Sequence, residues 1–160
     1  MIHLINSALN QSINSLIQEK HHSETQSYSE SDLPMQNDLV VDCNLIGNRK
    51  EFQFLLSFPN ELIIKFMNEL VDINHKSRDY DHILSSIVSE IGNYTACSLA
   101  RSSQIIKVIG NAEVSVPRVW KWQNGNSKLP GNLQEKAAIN YNGHFIQTFL
   151  TITDLNPSNN

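Results

Sequence analysis

Apolar residues Ile2, Ile5, Leu9, Ile13, Leu16 and Ile17 return mostly at three- and four-residue steps, the period that gathers them on one side of a helix reaching about Glu19. The stripe predicts a core-facing helix. From Lys20 to Asn37 the periodicity is lost. Ser, Glu, Gln and His collect around Pro34, and the segment is expected to be an exposed, flexible connector without regular structure. From residue 39 the pattern turns to β: LVVDCNLI (39–46), a break at Gly47-Asn48, then EFQFLLSF (51–58), which reads as a hairpin. Pro59 stops the second strand at a place where a helix start tolerates proline, and Leu62, Ile63, Phe66, Met67 and Leu70 form the stripe of a short amphipathic helix. Residues 74–80 form a polar connection.

The longest helical pattern covers residues 81–100, DHILSSIVSEIGNYTACSLA. At 100° per residue Leu84, Ile87, Val88, Ile91 and Thr95 collect on one side, while Ser86, Glu90 and Asn93 fall within roughly 60° of one another on the other. One face packs; the other offers a carboxylate and a carboxamide one turn apart. After Ser102, QIIKVIG (104–110) reads as extended or loop by composition. AEVSVPRVWKW (112–122) alternates like a strand interrupted at Pro117, where proline marks an edge, a bulge or a strand end. QNGNSKLPGN (123–132) is turn-rich. LQEKAAIN and HFIQTFLTI flank Tyr141-Asn142-Gly143, whose Asn-Gly is a strong hairpin signal. The whole reads as an α+β fold, helices packed on a largely antiparallel sheet, in one domain over residues 1–153 with a polar tail at 154–160.

Composition narrows the function classes. Of 160 residues, 40% are apolar and 18% charged, as in ordinary globular proteins, and a net charge of −4 gives no electrostatic reason to expect nucleic acid or an anionic membrane. A protein partner fits better. Cys43 and Cys97 show no CxxC spacing, no basic-then-apolar leader is present, and no apolar run approaches a membrane span, so a cytoplasmic protein with reduced thiols is expected.

The spacing Ser86-x3-Glu90-x2-Asn93, followed some two dozen residues later by Pro117, resembles the signature of the CheX/CheC/FliY class of chemotaxis phosphatases: Asp or Ser, three residues, Glu, two residues, Asn, then a distant Pro. FLLSFPNEL (54–62) is similar to that family's strand ending in Ser-Phe-Pro, VSVP (114–117) to its strand-then-Pro element, and the hairpin at Asn142-Gly143 also fits. Ser89 and Cys97 stand where the family commonly has glycine. The resemblance implies a CheX-like fold, a homodimer, and a phosphorylated CheY-like response regulator as partner and substrate. Glu90 and Asn93 are the candidate catalytic residues. Glu90 is implied to pair with an active-site lysine of the regulator, which would bring its own Mg²⁺ and phosphoaspartate, so no cofactor or metal of this chain's own is expected. An aspartyl phosphate is a mixed anhydride already prone to hydrolysis; a carboxamide at Asn93 can orient the attacking water, accepting through oxygen and donating through nitrogen.

Plainer readings stand beside these. A polar pair on a helix face is most often solvated surface, although Asn costs a helix a few tenths to about 0.7 kcal/mol relative to Ala and asks for a reason. His21-His22 with Glu24 offer metal-ligand types without geometric support; His75 and His82 with Asp79 and Asp81 are a little more suggestive, but a solvated helix start with Asp near its N-terminus is the plainer reading. Trp120-Lys121-Trp122 has a base-stacking look but reads better as alternating strand packing. Cys97 shares the face of Glu90 and Asn93, yet a small buried residue where helices approach is the simpler account. Two other functions stay open: a non-catalytic adaptor of the same fold that binds a response regulator or motor component, and a small-molecule or metal-binding α+β domain.

Overall fold

The computed structural model describes residues 1–17, 24–26, 33–70 and 79–155. Their order is α1 (Ile2–Ile17), β1 (Glu24–Gln26), β2 (Leu39–Ile46), β3 (Lys50–Phe58), α2 (Asn60–Leu70), α3 (Tyr80–Ala100), α4 (Ser103–Ile109), β4 (Glu113–Val114), β5 (Arg118–Lys121), β6 (Glu135–Tyr141) and β7 (His144–Asp154). The strands form one antiparallel sheet in the order β1-β6-β7-β3-β2, with β4 and β5 sharing the outer edge of β2. The four helices pack on one face, as the α+β reading requires.

Alternation along the strands decides which face each residue serves. Leu39, Val41, Cys43 and Leu45 of β2, with Phe52, Phe54, Leu56 and Phe58 of β3, join Ile5, Leu9 and Ile13 of α1, Phe66 of α2 and Leu84, Val88 and Ile91 of α3 in the main core. On the reverse face Val40, Leu55, Trp122 and Phe149 form a smaller cluster, with Trp120, Leu129 and Leu133 against it. The Trp-Lys-Trp run is therefore alternating strand packing, its two indoles on the reverse face. The turn at Asn142-Gly143 has φ of 50° and 83°, the left-handed pair that a two-residue hairpin needs.

Three expectations are corrected. QIIKVIG is helical, because Ile105 and Ile109, four residues apart, both enter the core and their burial outweighs the weak helix preference of β-branched residues. Gly110, at φ 84°, ends the helix, its N–H donating to the Ile106 carbonyl. The segment expected to lack structure over residues 20–37 holds β1, whose backbone pairs with β6 from Glu24↔Asn140 to Gln26↔Ala138. A three-residue edge strand is too short to show a period. The end of that segment is pinned as well: Asn37 N–H donates to the Trp122 carbonyl at 2.9 Å and Met35 N–H to Asp38 Oδ2 at 2.8 Å. The rest of that segment, the histidines at 21, 22 and 75, and tail residues 156–160 lie outside the described residues. Asp154, assigned to the tail, instead closes β7 and pairs with Lys50 at 3.1 Å. Among the described residues no helix is long and apolar enough to cross a membrane.

The position of α3 is set by Gly92. A Cβ there would lie 2.8 Å from Val41 Cγ2 and 3.0 Å from Cys43 Sγ, so only a glycine lets the helix seat this closely on β2. Beneath it, burial pushes the Cys43 thiol well above its ordinary range, with Asp42 and Cys97 adding to the rise, which leaves a structural rather than a reactive sulfur. Alanine favours a helix interior over glycine by about 1 kcal/mol, but both methyl groups of Val41 stand in the way of the added carbon, at 2.8 and 3.2 Å. Gly92→Ala is expected to destabilise the fold by about 1–3 kcal/mol in chemical denaturation, and Val41→Ala in the same chain to recover part of that loss.

Asp38 yields a pH prediction. Burial raises its carboxyl above the ordinary aspartate value, against the lowering effect of the Met35 N–H and the Ser57 hydroxyl. The folded state therefore disfavours the charged form. Protonation restores stability as pH falls through the raised value, and the contribution is complete below the unfolded-state value. Measured by denaturation from neutrality downwards, wild type should gain stability relative to Asp38→Asn, because the other carboxylates cancel in the difference. A difference that does not change with pH would contradict this account.

Candidate functional site

The face of α3 turned away from the core carries the candidate residues. Leu84, Ile87, Val88, Ile91 and Thr95 are all buried as the wheel requires, and Thr95 Oγ1 donates to the Ile91 carbonyl at 2.8 Å. Glu90 is exposed and Asn93 half-buried on the opposite side. Along this helix an open groove of about 430 Å³ is lined by His82, Ser85, Ser86, Ser89 and Glu90, with Pro117 and Val119 as its other wall. The structure thus brings Ser86, Glu90 and Pro117 to one place, although Pro117 is distant in sequence from the other two. Asn93 stands one helical turn beyond the groove lining.

These groups differ in how far they are committed. Ser86 donates its hydroxyl to the His82 carbonyl at 2.9 Å, an i→i−4 contact within the helix. The Glu90 carboxylate makes no hydrogen bond or ion pair among the described residues, which leaves it available to a cationic partner. Asn93 is held by one contact: the Cys97 thiol donates to its Oδ1, with sulfur and oxygen 3.8 Å apart. That contact leaves Nδ2 without a partner among the described residues. Cys97 is half-buried beside Asn93 rather than sealed between helices as expected.

The facing wall is tied down on both sides. Lys121 Nζ reaches Asp81 Oδ1 at 2.9 Å, joining β5 to the first turn of α3 across the groove side. On the reverse face the Arg118 guanidinium donates to Asp42, whose other carboxylate oxygen accepts from Gln53 Nε2 at 2.9 Å. Asp42 is 4% exposed, so its charge is held by these two donors.

Sequence reasoning found Ser86, Glu90, Asn93 and Pro117 but not the groove's other lining. The signal was present for His82 and Ser89, which stand four residues before Ser86 and three after it and so share its face. Val119, two residues past Pro117, follows the strand period. The described part of the second metal idea resolves differently: His82 lines the groove and Asp81 is paired with Lys121.

No family model and no curated protein matches the sequence. Solved structures do match. The chain is similar to the chemotaxis protein CheX of Vibrio vulnificus, at TM-score 0.70 and 11% identity over 93% of this chain and 96% of that one. It is similar to a chain of the CheX–CheY–beryllofluoride–Mg²⁺ complex of Borrelia burgdorferi, at TM-score 0.70 and 12% identity over 95% and 97%. FliY of Thermotoga maritima matches at TM-score 0.60 and 14% identity over 95% and 85%. With helices on one face of an antiparallel sheet and near-complete coverage in both directions, the chain has the fold of the CheX, CheC-like and FliY chemotaxis proteins.

Proposed function

We propose that this protein is a phosphatase that hydrolyses the aspartyl phosphate of a CheY-like response regulator. The observation that carries the reading is the joint placement of Glu90, Asn93 and Pro117. A carboxylate with no partner among the described residues and, less than one turn further along, a carboxamide project from one helix face, and the fold returns a proline to the groove that Glu90 lines. A solved neighbour of the same fold is a CheX in complex with CheY, beryllofluoride and Mg²⁺, which supports a docked receiver as the occupant.

The chemistry asks little of this chain beyond position. The regulator supplies the phosphorylated aspartate and Mg²⁺; attack comes from water in line with the leaving carboxylate oxygen. Glu90 engages the regulator's lysine and fixes the helix in its active site. Asn93 then orients the water, with Nδ2 donating to water oxygen and the remaining lone pair of Oδ1 accepting from it. Positioning of this kind lowers the barrier without a covalent intermediate, and a helix seated on a sheet is stiff enough to hold it.

The adaptor reading shares the docking step and differs only in turnover, so one assay separates them: loss of phosphate from an acetyl-phosphate-labelled regulator in Mg²⁺, with and without this protein. Binding without acceleration would leave an adaptor. Assembly belongs to the same proposal. Ile46 and Phe145 expose apolar surface on the sheet face opposite the helices, which supports a homodimer with both grooves facing outwards. Light scattering should give twice the chain mass at micromolar concentration, and a monomer there would exclude that assembly.

Asn93→Ala is expected to lower kcat by about tenfold to a hundredfold while binding of the phosphorylated regulator stays within about twofold, because the amide acts on the transition state. Glu90→Ala should weaken both. Neither should cost the fold more than about 1 kcal/mol, since Glu90 is exposed, Asn93 is half-buried and Ala favours helix. Full activity of Asn93→Ala would rule out this mechanism.

A further inference from the structure

The outer edge of β2 carries a break in register. β4 pairs with β2 at Ile46↔Glu113 and Leu45↔Val114, and Ser115 continues that register, its N–H donating to the Asn44 carbonyl at 3.0 Å and its Oγ accepting from Asn44 N–H at 3.3 Å. β5 resumes at Asp42↔Arg118 and Val41↔Val119. Two residues, Val116 and Pro117, therefore stand against one, Cys43. This is a β-bulge, which shifts the alternation of everything after it by one position.

The shift has a definite result. Cys43 faces the helices, so in an unbroken strand residue 116 would turn under α3 and Pro117 would turn to the reverse face. With the extra residue, Pro117 joins the groove wall and Val116 is left 86% exposed at its rim, the most exposed large apolar side chain among the described residues. The bulge is clamped on both sides, by Ser115 on Asn44 and by Arg118 on the buried carboxylate of Asp42. A β-branched side chain with few rotamers, held out by a clamped backbone, loses little entropy when it is covered.

We infer that Val116 is a specificity-determining residue: an apolar knob, presented by the bulge beside Pro117 at the rim of the groove that Glu90 lines, that seats in an apolar depression of the docked response regulator. The inference rests on the proposed function and adds the part of the surface that selects among regulators. Burying a valine against a partner is worth enough to shift affinity about tenfold. Because Val116 touches neither water nor phosphate in this scheme, its loss falls on binding and spares turnover.

The test uses the response regulators of the chain's own organism, each activated with beryllofluoride and Mg²⁺ for titration and labelled with acetyl phosphate for turnover. Val116→Ser is expected to raise Kd and KM about tenfold with kcat within about twofold, and Val116→Leu to keep wild-type binding. Leu155→Ser, which removes a 40% exposed apolar side chain just past the end of β7, should leave Kd unchanged. Thermal unfolding of Val116→Ser should match wild type, since an exposed side chain carries little of the packing. If wild type binds and turns over a regulator but Val116→Ser does so with the same Kd and KM, the inference fails and the site reading stands. If wild type neither binds nor turns over any of the regulators, the site reading fails and takes the inference with it.

Discussion

The contact on which the arrangement depends is the seating of Gly92 on Val41 and Cys43. A helix that packs through a glycine approaches a sheet more closely than one separated from it by a side chain. Because α3 sits down on β2 at this one point, the opposite face of the helix is fixed relative to the strand beyond β2, which carries Pro117 and Val119. Lifting the helix by the thickness of a methyl group would carry His82, Ser86 and Glu90 together away from Pro117 and Val119 and widen the groove. The Asp81–Lys121 pair acts on the same geometry from the other end of the helix. It is exposed, so it adds little stability, but it restrains the turn from which the groove begins.

The elements that could be read from the chain were those whose local pattern and tertiary demand agree. α3 shows it best: five residues predicted to pack are all buried, and the predicted polar face is the exposed one. The Asn142-Gly143 turn was legible because its backbone requirement is met by a residue pair that few other contexts favour. α4 was illegible for the converse reason. Its isoleucines and valine lower helix propensity, and only the depth to which Ile105 and Ile109 enter the core overrides them. β1 falls short of one period of any pattern, and its pairing with β6 is a fact of tertiary structure alone.

The site divides along the same line. Glu90 and Asn93 were legible because i and i+3 on a helix are neighbours whatever the helix packs against. Pro117 could be associated with them only through resemblance, since no periodicity connects a helix to a strand beyond it. The bulge was less legible still. Proline within an alternating run signals that something interrupts the strand, but the kind of interruption follows from comparing two registers on β2, and those exist only once β4 and β5 are both placed.

Under the proposed function, this geometry separates two tasks that a single surface must perform. Water orientation and lysine pairing act on groups that every phosphorylated receiver of this kind must present: the phosphoaspartate, the metal and the lysine. Glu90 and Asn93 therefore cannot distinguish one regulator from another, because each offers them the same chemistry. Discrimination must come from surface outside the reacting atoms, where regulators differ. Such a group has to be rigid, or its ordering cost would absorb the gain, and it has to stand clear of the groove, or it would block the receiver's active site. A register shift of one residue at Val116–Pro117 meets both requirements. It turns the proline inward to complete the wall and leaves the valine outward at the rim, so the bulge that shapes the reactive groove also sets the residue positioned to read the partner.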